Sequence, residues 1–171
     1  MDEIGLRRLT GSDYAAVRDF FRQGIRYQRS LGFTQWLDGY PNDDLLERDY
    51  ETGRGFIIEI GGKPAGYVVI DTAGDAEYDR LSHIWRLSGP YAAVHRIVLG
   101  DLFRGKGYGS RLLELIERFL TDKGVTVVRF DTGVDNLPMQ TLLKKNGYTD
   151  LGHHVFVWGP RFAYEKGLDP K

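Results

Sequence analysis

The sequence predicts an α+β domain, one sheet with helices packed on it, in the order β-α-α-β-β-β-α-β-α-β-β. Three observations carry that prediction. Apolar runs of strand length are separated by two stretches whose apolar residues recur at helical spacing. Gly61-Gly62 sits between two Ile/Val-rich runs, the signature of a hairpin. Two late strand-to-helix units follow one another between about 91 and 146.

Residues 3–9 read as a short strand. Ser12 or Asp13 caps a helix reaching about Arg29, with Tyr14, Val17, Phe21 and Ile25 on its apolar face. Residues 33–41 are aromatic but aperiodic, and a short polar helix follows at 42–52. Phe56–Ile60 and Tyr67–Ile70 flank the Gly61-Gly62-Lys63-Pro64 turn. Residues 73–90 read as an insertion with a helical turn near Tyr78–Leu81. A strand at 91–99 then leads through a glycine-rich turn into a helix ending near Lys123, its face formed by Leu112, Leu113, Ile116, Phe119 and Leu120. A strand at 126–132 and a helix from Asn136 to Asn146 come next, with Gly147 as a left-handed stop. Strands at Tyr148–Trp158 and Phe162–Lys166 complete the chain. No linker or internal repeat divides residues 1–171, which read as a single domain.

Composition narrows the function classes. The 171 residues include 22 aromatics and carry a formal net charge of −1, enough apolar material for a core and no basic tail for nucleic acid. There is no cysteine, so disulfides, thiolate metal sites and a cysteine nucleophile are excluded. No apolar run approaches the ~18 residues of a membrane helix, and the acidic start lacks a secretory core. These features lead to the expectation of a cytoplasmic protein without membrane, metal or nucleic-acid partners.

The chemistry concentrates at Arg104-Gly105-Lys106-Gly107-Tyr108-Gly109-Ser110, where a strand turns into a helix. A helix start leaves backbone N–H groups unpaired at its positive end, and glycines let a phosphate approach them. A tight turn that happens to use glycine is the structural alternative. Gly100-x4-Gly105-Lys106 resembles a Walker A loop, but Gly107 replaces the Mg²⁺-binding Ser or Thr. Gly105 and Gly107 begin a dinucleotide fingerprint, with Asp131 near the position of a ribose ligand, but Ser110 occupies the third glycine position. The pattern Arg/Gln-x-x-Gly-x-Gly/Ala is matched in full by Arg104–Gly109.

With the preceding strand, the following helix and Asn136…Asn146-Gly147-Tyr148, the stretch 93–148 resembles the core of the GNAT superfamily of acyl-CoA-dependent N-acyltransferases. Trp36–Pro41, His95-Arg96-Ile97 and Asp135–Gln140 also resemble a bacterial branch of that superfamily, without indicating an acceptor. The resemblance implies a mixed, mostly antiparallel central sheet flanked by helices, with the parallel strands near 91–99 and 126–132 splayed. It implies acetyl-CoA as co-substrate, bound by a core at about 91–148. Its pyrophosphate would lie on Arg104, Gly105, Lys106, Gly107, Tyr108, Gly109 and Ser110. Its pantetheine arm would run along Ile97, Val98 and Leu99, with a backbone N–H near Val98 polarising the thioester carbonyl. Asn136 corresponds to the family asparagine that touches the arm, and an N-cap accepting from Met139 is its structural alternative. Lys144 and Lys145 are candidates for the 3′-phosphate or for a solvated helix face.

The family's usual acid, a tyrosine seven residues after the asparagine, is replaced by Leu143, and Tyr148 reads as core. His95, nine residues before Arg104, is the leading general base, where some family members place a histidine. A strand histidine satisfied by a neighbour is the alternative. Glu59 and Asp71 are lesser candidates, and His153 and His154 have no assigned role. Without cysteine or a Gly-x-Ser-x-Gly elbow, direct transfer in a ternary complex is the expected route. Trp36, Tyr40 and Pro41 are expected either beside the acceptor or as the anchors of their own loop, Arg26 and Arg29 either as anion attractors or as ordinary surface residues, and 73–90 as an opposite wall. The acceptor reads only as an amine: a small molecule, an amino acid, an antibiotic or a protein N-terminus. An acyl-CoA sensor without turnover is the alternative function, and a homodimer is the expectation supplied by analogy.

Overall fold

The computed structural model describes residues 1–33, 35–36 and 39–169. It has two compact units, residues 1–70 with 96–112 and residues 71–95 with 113–171. The strands β1 (Ile4–Arg8), β2 (Gly55–Ile60), β3 (Lys63–Asp71), β4 (Tyr91–Leu99), β5 (Val127–Gly133), β6 (Thr149–Phe156) and β7 (Gly159–Gly167) follow the hydrogen-bonded order β1-β2-β3-β4-β5-β7-β6, mostly antiparallel with β4 and β5 parallel. β4, Tyr91–Leu99, contributes its first half to one unit and its second half to the other.

The first unit holds β1 (Ile4–Arg8), α1 (Tyr14–Ser30), α2 (Asp43–Glu51), β2 (Gly55–Ile60) and nearly all of β3 (Lys63–Asp71). β1 pairs with β2 and β2 with β3, both antiparallel. Gly61 and Gly62 have φ of 59° and 76°, the left-handed pair that a two-residue hairpin turn with matching twist requires. Most of β2 and β3 is buried, hence the nearly uninterrupted apolar runs. Val17, Phe20 and Phe21 of α1 and Leu46 of α2 pack with Ile57, Tyr67, Val69 and Val98.

The start of the first helix differs from the sequence expectation. A short 3-10 turn, Gly11–Asp13, with Thr10 at its own N-cap, precedes α1; Asp13 stands at the N-cap position of α1, as expected, but its side chain makes no cap hydrogen bond there. Asp13 instead accepts hydrogen bonds from the Thr10 N–H and hydroxyl and from Arg7 at 2.8 Å. The Arg7 bond lowers the Asp13 pKa against the opposing effect of burial, to about 2, below the usual carboxylate value. The resulting stabilisation is present above the unfolded value of about 3.9 and is lost as pH falls through 2. The melting temperatures of wild type and Asp13→Asn are therefore expected to differ at pH 6 and to converge as the pH approaches 2. A gap independent of pH would contradict this account.

The second unit holds α3 (Ala76–Arg80), the first half of β4, most of α4 (Tyr108–Asp122), β5 (Val127–Gly133), α5 (Leu137–Lys145), β6 (Thr149–Phe156) and β7 (Gly159–Gly167). β4 runs parallel to β5 over Tyr91–Ala93 against Val127–Arg129, at the N-terminal ends of both strands. β5–β7 and β6–β7 are antiparallel. Tyr78, Leu81, Ile84, Ala93, Leu151, Phe156 and Ala163 form a buried cluster. The 73–90 segment is more ordered than an insertion loop: Asp75 caps α3, and a 3-10 turn follows at Ser82–Ile84. β6 ends at Phe156 rather than Trp158 because Val157 and Trp158 form the turn and Gly159, at φ 114°, opens β7. Neither turn residue is a usual turn former, so apolar content alone extends the predicted strand. Among the described residues no helix is long and apolar enough to cross a membrane.

Candidate active site

In the first unit, the turn after β4 has the backbone expected of a phosphate cradle. Gly105 and Gly107 sit at φ 73° and 84°, and α4 starts at Tyr108. A Cβ at Gly105 would meet no atom within 4 Å, so glycine is required there by conformation and not by crowding. The first N–H groups of α4 have no intrahelical acceptor and carry the positive end of its dipole. These features suit a diphosphate.

The side chains divide the work differently from the sequence expectation. Arg104 donates to the Asp101 carboxylate at 2.5 Å and the Leu99 carbonyl at 2.7 Å and lies over the Tyr27 ring at 4.1 Å. It fastens the turn to the end of β4. Asp101 is held further by Arg26 at 3.4 Å and, through its N–H, by the Gln23 side chain at 2.7 Å. Arg26 is thus engaged in this turn, Arg29 is exposed, and Lys106 is exposed on the turn. Tyr108 is buried with Ile60 and Ala65, so its side chain is core.

The β4 edge also needs a correction at Val98. A Cβ at Gly66 of β3 would lie 2.2 Å from the Val98 carbonyl oxygen, and the Gly100 N–H donates to the Ala65 carbonyl at 2.8 Å. N–H and C=O of one extended residue leave on the same edge, and the edge alternates along a strand. Val98 therefore faces β3, while Ile97 and Leu99 present their polar groups on the other edge. Just before Ile97, Arg96 has φ 51°, a left-handed conformation that a non-glycine residue adopts at a cost of about 1–3 kcal/mol. Its guanidinium donates to both oxygens of Asp49, at 2.6 and 2.8 Å. Asp49 also accepts from Tyr67 at 2.6 Å and from Arg54 at 3.0 Å.

In the second unit, His95 Nε2 lies 2.8 Å from the Asp75 carboxylate. Its ring packs edge-on to Tyr78 and Trp158, at 5.4 and 6.3 Å between centroids. Asp131 of β5 accepts from the Tyr78 hydroxyl at 2.6 Å and the Trp158 indole N–H at 2.9 Å. Burial first, and the Asp131 charge second, raise the Tyr78 pKa well above the usual phenol value, so its hydroxyl stays a donor. Asn136 caps α5 by accepting from the Met139 N–H at 3.2 Å, the structural role weighed for it. Leu143 is fully buried. Tyr148 is buried and donates to Glu117 at 3.0 Å; burial and that carboxylate raise its pKa far above the usual value. It is a core residue, not a substitute acid. Lys144 pairs with Asp150 at 3.5 Å, and Lys145 is exposed on the same helix.

The remaining candidates separate. Trp36, expected beside the acceptor or as a loop anchor, is 5 % exposed and packed on Phe21 and Gly24, with its backbone N–H donating to the Gln28 side chain. Its ring fills the space left by the missing Cβ of Gly24. Tyr40 is 39 % exposed. Thr34, Leu37 and Asp38, within the predicted 33–41 segment, lie outside the described residues. Glu59 is paired with Arg7, and Asp71 accepts from the Ala73 N–H at 3.0 Å. His154 Nε2 lies 2.8 Å from the Leu151 carbonyl, and His153 packs on Phe162. Sequence reasoning missed Asp49, Asp75, Tyr78 and Trp158 as partners. No spacing rule links them to β4, and only Asp75, a capping type directly before α3, left a local signal.

Comparison with known proteins places this geometry. Residues 15–148 match the family described as the acetyltransferase (GNAT) family. The chain belongs to that family. It is 29% identical over 150 residues to an uncharacterized N-acetyltransferase of Methanocaldococcus jannaschii, covering 85% of this chain and 60% of that protein. It thus spans about three fifths of the length of that archaeal relative. An uncharacterized N-acetyltransferase of Bacillus subtilis is 23% identical over 153 residues, 84% of this chain and 83% of that one. The crystal structure of a GNAT-family acetyltransferase from Streptococcus agalactiae shares the fold at a TM-score of 0.84 and 24% identity, covering 98% of this chain and 96% of that chain. The aminoglycoside acetyltransferase AAC(6')-Ib, solved in complex with coenzyme A, shares the fold at a TM-score of 0.73 and 19% identity, covering 96% and 95% of the two chains.

Proposed function

We propose that this protein is an N-acetyltransferase that moves the acetyl group of acetyl-CoA directly to a primary amine in a ternary complex. The observation that carries the reading is the left-handed Gly105/Gly107 turn, fastened by Arg104 and opening onto the start of α4, in a chain of the acetyltransferase family. The coenzyme A complexes of AAC(6')-Ib, which shares the fold, support the choice of phosphate ligand.

In this reading Gly105 to Ser110 hold the pyrophosphate mainly through backbone N–H groups, with Lys106 adding charge and Tyr108 anchoring the helix. The pantetheine arm follows the Ile97–Leu99 edge of β4, with Val98 contributing its buried side chain to the strand's packing. Acetyl-CoA supplies an activated thioester; the chain supplies a donor for its carbonyl and a base for the amine. The donor is the Ile97 N–H in place of Val98, because Val98 faces β3. His95 is the base, and Tyr40 is retained beside the acceptor. The acceptor is an amine on a small molecule or a protein N-terminus.

Leu143 at the usual tyrosine position favours a second reading, an acyl-CoA-binding sensor without efficient turnover. Thermal melting with acetyl-CoA, with ATP–Mg²⁺ and NADH as controls, tests the shared part. A ligand at about 100 times its Kd adds about 2.7 kcal/mol, a rise of roughly 5–10 °C for a domain of this size. A rise with acetyl-CoA alone is expected; a rise with a control nucleotide alone would overturn the cofactor assignment. Free-thiol release with kanamycin, lysine, phenethylamine and an unblocked peptide then separates enzyme from sensor.

A further inference from the structure

We propose that Asp75 is a positioning residue for His95, holding the imidazole with its hydrogen on Nε2 so that Nδ1 is the atom that takes the amine proton. This rests on the reading of His95 as base and goes further by naming the atom and the group that selects it.

The geometry is specific. The Asp75 Oδ2 to His95 Nε2 distance is 2.8 Å, and the two side chains are 16 % and 18 % exposed. The other carboxylate oxygen accepts from the Glu77 and Tyr78 N–H groups at 2.9 and 3.0 Å, so α3 fixes the carboxylate in place. The Asp75 N–H donates to the Tyr91 hydroxyl at 2.8 Å, and that hydroxyl donates to Asp79 at 2.7 Å. The ring itself is confined by Tyr78 and Trp158, both tied to Asp131. Burial works to raise the Asp75 pKa, but the His95 bond and the two N–H groups outweigh it and hold it below the usual carboxylate value.

An ionised carboxylate is an acceptor only, so the imidazole nitrogen facing it carries a hydrogen. The neutral ring then has its lone pair on Nδ1. As the acceptor nitrogen bonds to the acetyl carbon, the C–S bond breaks with its electron pair on sulfur. The proton from nitrogen passes to Nδ1, giving an imidazolium beside the Asp75 carboxylate. The logic is that of a carboxylate orienting a histidine base, with the two ring nitrogens exchanged relative to the serine-protease triad.

The test is the tautomer of His95, read by ¹⁵N NMR of the histidine-labelled full chain at about pH 8.5, where an ordinary imidazole is neutral. The Nε2–H form is expected. In Asp75→Asn the amide can donate to Nε2, and the ring is expected to switch to Nδ1–H. The Nδ1–H form in the wild type would overturn the proposal. Kinetics with the best amine from the free-thiol screen add a second readout. Asp75→Asn is expected to lower kcat about 100-fold or more with KM for acetyl-CoA unchanged. Asp75→Ser keeps a cap for α3 but frees the ring, and about a tenfold loss is expected. Wild-type kcat in both variants, alongside an inactive His95→Gln, would overturn the positioning role alone; wild-type kcat in His95→Gln would instead overturn the base.

Discussion

Asp49→Ala is expected to destabilise the protein by about 3–5 kcal/mol, the usual cost of removing one partner of a buried ion pair. The carboxylate is fully buried, and the Arg96 side chain it neutralises is 9 % exposed. Without Asp49, the guanidinium and the Tyr67 hydroxyl lose the acceptor they share. The Arg96 Nε already has no protein partner among the described residues, and the Tyr40 side chain is the hydrogen-bond partner that would remain besides Asp49. Urea unfolding is the measurement, and for a domain of this size the melting temperature should fall on the order of 10 °C. A loss below about 1 kcal/mol would mean that water reaches the site and solvates Arg96. A weaker acetyl-CoA affinity is expected alongside, because the left-handed conformation of Arg96 immediately precedes Ile97 on the proposed cofactor edge.

His95→Gln should lower turnover by about 10²–10⁴-fold while leaving the acetyl-CoA melting shift intact, the range a positioned base contributes. Glutamine keeps a polar group able to donate to Asp75, so α3 and its cap are expected to survive. The expected split is loss in kcat with an unchanged KM for acetyl-CoA. Steady-state kinetics of free-thiol release, with the amine that the screen selects, reads both. Unchanged turnover would return His95 to a strand histidine satisfied by its neighbour. A lost melting shift would show that the substitution damages cofactor binding as well.

Much of the fold was legible because its signals are local. Gly61-Gly62 needs two left-handed residues, and few other pairs supply them cheaply. The helix after Gly107 follows from its apolar spacing and the permissive turn before it. Tyr148 reads as core from its place just after the Gly147 stop, and it is buried. The Val157-Trp158 turn and the 3-10 entry to α1 were not legible. In the first, two apolar residues form the turn ahead of the left-handed Gly159; in the second, the Arg7–Asp13 pair holds the Asp13 side chain away from the cap.

The sequence by itself determined the element order, the glycine turn and its suitability for a phosphate, and the candidacy of His95. Each depends on residues close along the chain. The tertiary structure decided which groups those residues meet. Trp36 became core because Gly24, twelve residues earlier, leaves room for its ring. Arg104 became a latch because Leu99, Asp101 and Tyr27 surround it. Val98 faces β3 because Gly66 of that strand leaves room for its carbonyl. His95 acquired Asp75 from twenty residues away, and Arg96 acquired Asp49 from forty-seven. Such pairings are set by packing two distant segments together, and their energies depend on burial, which no local pattern encodes.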